Sequence, residues 1–177
     1  MQSREQMIHH AAMEILRDVG VQFHNEEACR ILKENGIRVE NSIAYFTEEQ
    51  VMHWVGMAPE QFTLYGRNET YKMTLGDGST HPSPTYGCAF IAERDGTQRP
   101  GTMEDYVKAV KLVHASDVYI IDGGILIQPS DMEDTLAPLA MFYATITHSD
   151  KIIMLPTADR CIMESMVQAA CAIFGGQ

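Results

Sequence analysis

Residues 118–129 read VYIIDGGILIQP, an almost continuously apolar run with a Gly pair inside it and a proline at its end. A strand with one wet face alternates polar and apolar residues; a run apolar throughout predicts a strand of a parallel sheet covered by helices. Two more such runs flank it, TYGCAFIAERDG at 85–96 and KIIMLPT at 151–157. Helix signals fall between and after them. Thr102-x-x-Asp105 opens a helix carrying Tyr106, Val107, Val110 and Val113, and Ser130-x-x-Glu133 opens another through Leu136, Leu139, Ala140 and Tyr143. Asp159 precedes a last helix whose Val167, Ala169, Ala170, Ile173 and Phe174 demand an apolar neighbour before the closing Gly pair. The order from about residue 80 is therefore β, α, β, α, β, α. It starts either a barrel or a doubly wound sheet; no G-x-G-x-x-G follows a strand, which lowers the dinucleotide-binding option, and three units do not close a barrel of eight.

The upstream part has a different rhythm. Residues 3–60 read as three helices. Ser3-x-x-Gln6 starts the first, with Ala11, Ile15 and Val19 inside and Gly20 closing it; Asn25 caps the second, which closes at Gly36. Thr47-x-x-Gln50, bracketed by Phe46 and Val51, is a capping box with its hydrophobic staple, and Pro59 marks the stop. QFTLYGRNETYKMTLG at 61–76 is a hairpin by pattern, two alternating runs around GRNE. The organisation expected is a small α+β cap over residues 1–79 and a β/α region over 80–177.

Composition excludes several classes. With 177 residues, 45% of them hydrophobic and 21% charged, the chain is ordinary core-forming material, not a disordered tail. Its net charge of -11 and 13 scattered basic residues argue against nucleic acid and anionic membranes as partners. The sequence has neither a signal peptide nor an apolar run of membrane-spanning length, so the default expectation is a cytoplasmic protein. The four cysteines, Cys29, Cys88, Cys161 and Cys171, lack C-x-x-C spacing and read as free thiols; His9-His10 with Glu14 is the nearest approach to a metal pair, and no metal site is expected.

Taken in order, HHAAMEILRDVGVQF, ILKENGIRV, TEEQVMHWVGMAPEQFTLYGRN, RDGTQRPGTMEDYVKAVKLVHASD, QPSDMED and THSDKIIM resemble the N-terminal part of the trimethylamine methyltransferase (MttB) superfamily. APEQFTLYGRN and RDGTQRPGTMEDY are the most distinctive pieces, and the similarity spans essentially the whole chain. The resemblance implies a helical and β cap followed by a (β/α)₈ TIM barrel, of which this chain holds the first three units and stops with the barrel under half built. It implies methyl transfer from a methylated amine, trimethylamine or a quaternary amine such as glycine betaine, to the cobalt of a corrinoid (cobalamin) carried by a cognate corrinoid protein, with no cofactor bound tightly by the chain itself. The position of pyrrolysine in the trimethylamine branch lies beyond Gln177. The residues present are expected to be inactive alone, and an open sheet edge predicts a homo-oligomer. A truncated, non-catalytic relative that serves as a folded binding or assembly module is the alternative.

In such a reaction cobalt(I) attacks an N-methyl group in line, so the protein positions the methyl and excludes water. A quaternary ammonium leaves as a neutral amine and needs no general acid; aromatic faces are its natural lining. The ends of the strands offer Tyr86 and Phe90, Gln128 and Asp131, and Thr157, followed by Asp159. Each but Gln128 has a plainer reading beside this one. Tyr86 and Phe90 read as barrel filling before they read as a cage, while Asp131 and Asp159 stand where helices begin and cap them. Gln128 before Pro129 has no comparable local reason. Asp95 in RDGT is a turn former, and the twelve methionines are flexible core filler.

Overall fold

The computed structural model describes residues 3–175. The chain divides into two compact units at Glu60/Gln61, each a mixture of helix and small sheet.

In the first unit α1 (Arg4–Glu14), α2 (Glu26–Glu34) and α3 (Glu48–Gly56) begin where the capping signals place them. The N–H of Gln6 donates to Ser3 Oγ at 3.2 Å and that of Gln50 to Thr47 Oγ1 at 3.2 Å, with the glutamine side chains answering the cap N–H groups at 2.8 and 3.0 Å. Asn25 Oδ1 accepts from Ala28 N–H at 3.0 Å. α1 runs on through a π-helical turn (Ile15–Val19) to Gly20, whose φ of 76° ends it. A Cβ at Gly20 would lie 2.7 Å from the Ala44 carbonyl, so the close approach of this turn to the sheet also requires glycine.

Beyond three helices, the unit holds an antiparallel sheet of β1 (Val21–Gln22), β2 (Arg38–Glu40) and β3 (Ile43–Tyr45), in the order β1-β3-β2. Asn41 and Ser42, both at positive φ, make the two-residue turn between β2 and β3. Strands this short leave little periodicity to read. Ile37 and Ala44 are buried, whereas Ile15 and Val19, expected on the inner face of the first helix, are 58% and 66% exposed. Helical spacing marks which residues share a face; whether anything covers that face depends on packing.

The second unit opens with the expected hairpin, β4 (Phe62–Tyr65) with β5 (Lys72–Leu75), paired from Phe62↔Leu75 to Tyr65↔Lys72. Its tip docks on the end of α5 (Ala137–His148). Arg67 donates to the carbonyls of Ile146 at 2.8 Å and Ser149 at 3.2 Å, and Asn68 N–H donates to the Asp150 carbonyl at 3.1 Å.

The three apolar runs touch in parallel, through two single bridges, Cys88↔Ile127 and Ile121↔Ile152. The middle run divides its bonding. Residues 120–122 bond to Ile152 (Asp122 N–H to Ile152 O, 2.9 Å; Ile152 N–H to Ile120 O, 3.1 Å), and residues 125–128 bond to the first run (Gly87 N–H to Ile125 O, 2.6 Å; Gln128 N–H to Cys88 O, 2.8 Å). Gly123 and Gly124, at φ of 86° and 71°, make the change of partner. No closed barrel is present among the described residues.

Two further expectations are corrected. The run at 85–96 is not one strand: after Cys88 the chain turns into an antiparallel hairpin of β6 (Phe90–Ala92) and β7 (Gln98–Pro100). Asp95 makes the turn, its Oδ1 accepting from Thr97 N–H at 3.0 Å and Thr97 Oγ1 at 2.7 Å. The second helix of this unit starts at Ala137, not near Ser130. Ser130 Oγ donates instead to the Gly101 carbonyl and Asp131 Oδ1 accepts from Met103 N–H, so neither is free to open a helix, and Pro138 suits the first turn of α5.

α4 (Met103–Ala115) is capped by Thr102 and Asp105, and its Tyr106, Val110 and Val113 face inward at helical spacing. With Leu126, Ile127, Ala137, Met141 and Ala144 they form the core, each large apolar side chain contributing about 1.5–3 kcal/mol by leaving water. α6 (Arg160–Phe174) is capped by Asp159 and closes at Gly175 in the left-handed region. Only Met166 of this helix is buried, and Val167 and Phe174 remain about half exposed.

Candidate functional site

The change of partner at Gly123–Gly124 brings all three runs together. Gly124 is held at both ends: Tyr106 Oη donates to its carbonyl at 2.9 Å, and its N–H donates to Asp122 Oδ1 at 3.0 Å. Tyr106 Oη also shares a hydrogen bond with Thr145 Oγ1 at 3.0 Å, and burial pushes its pKa up to about 12, so it stays neutral. From the third run Met154 N–H donates to the same Asp122 Oδ1 at 2.8 Å. From the first run the Tyr86 ring closes over Gly124, where a Cβ would lie 3.1 Å from Tyr86 Cε2 and 3.2 Å from the Met154 carbonyl.

Asp122 is 3% exposed. Desolvation raises its pKa to about 6, against the lowering effect of the backbone N–H groups of Met154, Gly124, Asp122 and Gly123 that surround it. The sequence reading passed over this residue. Its signal was an acidic side chain interrupting an apolar strand directly before two glycines.

The residues singled out from the sequence separate. Tyr86 lies at this junction and is 52% exposed as a residue. Phe90 has left the parallel run for the β6–β7 hairpin, where it pairs with Pro100 and is 62% exposed. Gln128 is half-buried, its N–H on the Cys88 carbonyl and its own carbonyl 3.2 Å from where a Cβ on Gly101 would be. Asp131 is exposed and caps α4, bonding Met103 N–H at 2.8 Å, so it caps a helix other than the one following it. Thr157 is exposed in the loop before α6, and Asp159 Oδ1 accepts from Ile162 N–H at 3.1 Å as that helix's cap. Gln128 and Asp131 thus sit on one loop cluster with Gly101 and Met103; no hydrogen bond among the described residues joins Thr157 to them.

No group of three His, Cys, Asp or Glu side chains placed to hold a metal ion occurs among the described residues. His9 Nε2 lies 2.9 Å from Glu48 and His10 Nε2 3.4 Å from Glu14, two separate pairs. No described helix is long and apolar enough to cross a membrane. The arrangement can present an aromatic ring beside a buried carboxylate, a combination suited to holding a cation.

The described residues form a mixed α/β protein whose three apolar runs meet in parallel around Gly124, with Tyr86 and Asp122 on either side of it. The family model described as trimethylamine methyltransferase (MTTB) matches residues 1–177, and the chain belongs to that family. It is 35% identical over 172 residues to a glycine betaine methyltransferase of Desulfitobacterium hafniense (strain Y51), covering 97% of this chain and 36% of that protein. An L-carnitine:corrinoid methyltransferase of Eubacterium limosum is 29% identical over 128 residues, 72% of this chain and 26% of that protein. A trimethylamine methyltransferase of Methanosarcina mazei is 39% identical over 66 residues, 36% of this chain and 13% of that protein. The chain therefore spans little more than a third of the length of the relative it matches most extensively of these three.

Proposed function

We propose that this chain forms the N-terminal part of a methyltransferase that moves a methyl group from a methylated amine to the cobalt of a corrinoid carried by a partner protein. The observation that carries this reading is the family match over all of residues 1–177. The breadth of the likeness to the glycine betaine enzyme, 97% of the chain against 36% for the trimethylamine enzyme, favours a quaternary amine as methyl donor.

In this reading the parallel runs are the opening strands of a (β/α)₈ barrel starting near residue 80, and residues 1–79 belong to the cap. The β/α order and the two parallel bridges support that arrangement. Tyr86 offers its ring to the ammonium group, and Gln128 fixes a second polar group on the same ligand. Phe90, Asp131 and Thr157 stand at the periphery, Asp131 chiefly as a cap. The chain's residues bind the donor, orient one methyl and exclude water, while the corrinoid arrives as a second substrate on its carrier. Location in the cytoplasm and self-association belong to the same reading, and sedimentation of the purified protein tests the latter.

The decisive assay offers glycine betaine or trimethylamine to the whole polypeptide in which this chain occurs, together with a cobalt(I) corrinoid protein. Methylation of the corrinoid from glycine betaine is expected. No transfer from any methylated amine overturns the reading.

A further inference from the structure

Asp122 is buried in a segment that is otherwise apolar, and among the described residues no Lys, Arg or His offsets its charge. Its Oδ1 accepts two backbone hydrogen bonds, from Gly124 at 3.0 Å and Met154 at 2.8 Å. An asparagine carbonyl would accept the same two bonds without the cost of burying a charge, so those two bonds by themselves do not require a carboxylate. What an asparagine cannot supply is the charge itself.

Position gives that charge a use. Asp122 and the half-exposed Tyr86 flank the same residue, Gly124, at the point where all three parallel runs meet. The absence of a side chain at Gly124 lets the ring come this close to the backbone whose N–H the carboxylate holds. An aromatic ring and an anion on one glycine are complementary to a ligand whose positive charge is spread over methyl groups.

We propose that Asp122 is a specificity-determining residue that makes the site prefer a ligand with a fixed positive charge, a quaternary ammonium, over a ligand of the same shape that has a neutral quaternary carbon in its place. The proposal rests on the methyl-transfer reading above and assigns it a residue. Binding such a cation stabilises the ionised carboxylate, so by linkage affinity rises with pH up to and through the titration of Asp122 near 6, and a proton is released on binding below that range. Among the described residues the titratable groups placed around Asp122 are the Tyr106 hydroxyl from α4, raised to about 12 and neutral throughout, and the Tyr86 hydroxyl from the first run; the surrounding N–H groups do not titrate.

The test compares glycine betaine with tert-butylacetate, in which carbon replaces the nitrogen, by calorimetry on the whole polypeptide. The wild type is expected to prefer betaine roughly tenfold or more at about pH 8, a preference that shrinks at about pH 5.5. Asp122→Asn keeps both hydrogen bonds, should melt no lower than the wild type, and should cut the betaine preference at about pH 8 roughly fivefold or more, leaving only the part that the Tyr86 ring supplies, the same at either pH. An Asp122→Asn protein whose betaine preference is as large as the wild type's overturns the role of Asp122 and leaves the methyl-transfer reading standing. Wild type that binds both ligands equally also overturns the proposal; wild type that binds neither removes the reading and the proposal together. If the variant does not fold, a wild-type preference that is the same at both pH values overturns the proposal.

Discussion

Lys151 Nζ donates to the carbonyl of Val113 at 2.7 Å and to that of Ser116 at 2.6 Å, closing the C-terminal end of α4 from the start of the third apolar run. A helix leaves its last carbonyls without partners and carries partial negative charge there, so a cation suits the position on both counts. Lys151 is 1% exposed, and desolvation lowers its pKa, with Asp117 and Asp150 acting in the opposite direction.

Lys151→Met keeps much of the stem but leaves both carbonyls short of a donor. We expect a loss of about 1–3 kcal/mol, reduced from the full value of two charged hydrogen bonds by relief of the buried ammonium. Urea unfolding measures it; a variant as stable as the wild type would show that the ammonium contributes nothing net.

Asp105 accepts from Arg99 through both carboxylate oxygens, at 2.5 and 2.9 Å, and from Thr102. Arg99 is the main cause, with Thr102 adding to it, that holds the Asp105 carboxyl well below the usual carboxylate range. A depressed native pKa contributes stability above the unfolded value and loses it as pH falls toward the native one. Asp105→Asn should therefore cost about 1–2 kcal/mol near neutral pH, allowing for the exposed Arg99, and progressively less below about pH 4. Denaturation curves at the two pH values decide it, and an equal cost at both is the contrary result.

Gly36 and Gly124 both sit at positive φ, 78° and 71°, but a Cβ on Gly36 meets nothing within 4 Å whereas one on Gly124 meets Tyr86 and Met154. Gly36→Ala is expected to cost about 1 kcal/mol from backbone strain alone, and Gly124→Ala about 1–2 kcal/mol more. Equal melting temperatures for the two variants would contradict the close approach at Gly124.

On the whole polypeptide, Tyr86→Phe should keep most of the affinity for a quaternary ammonium, while Tyr86→Ala should lose about 1–2 kcal/mol, roughly tenfold. Gln128→Ala should weaken a carboxylate-bearing betaine more than trimethylamine, which has no second polar group. Binding indifferent to both alanine changes would place these residues in the framework.

Asp131→Ala removes the cap from Met103 and should lower stability by about 0.5–2 kcal/mol without changing the preference among amines. A selective loss of one substrate, with the melting temperature unchanged, would move Asp131 into the site.

What could be read from the chain alone were features whose two partners lie within a few residues of each other. Ser3, Asn25, Thr47, Thr102 and Asp159 cap their helices as the spacing requires, and Asp95 turns its hairpin, because each of these bonds spans only two or three residues. The family resemblance was legible for a related reason: ordered motifs survive in one dimension. Packing between distant segments decided the rest. It left Ile15 and Val19 exposed, drew Asp131 across 28 residues to cap α4, and ended the first apolar run at a hairpin. It also placed Asp122 against Met154, 32 residues away, under the core that excludes water from it. A carboxylate beside two glycines looks like any turn in a sequence; only burial, to which distant segments contribute, sets it apart.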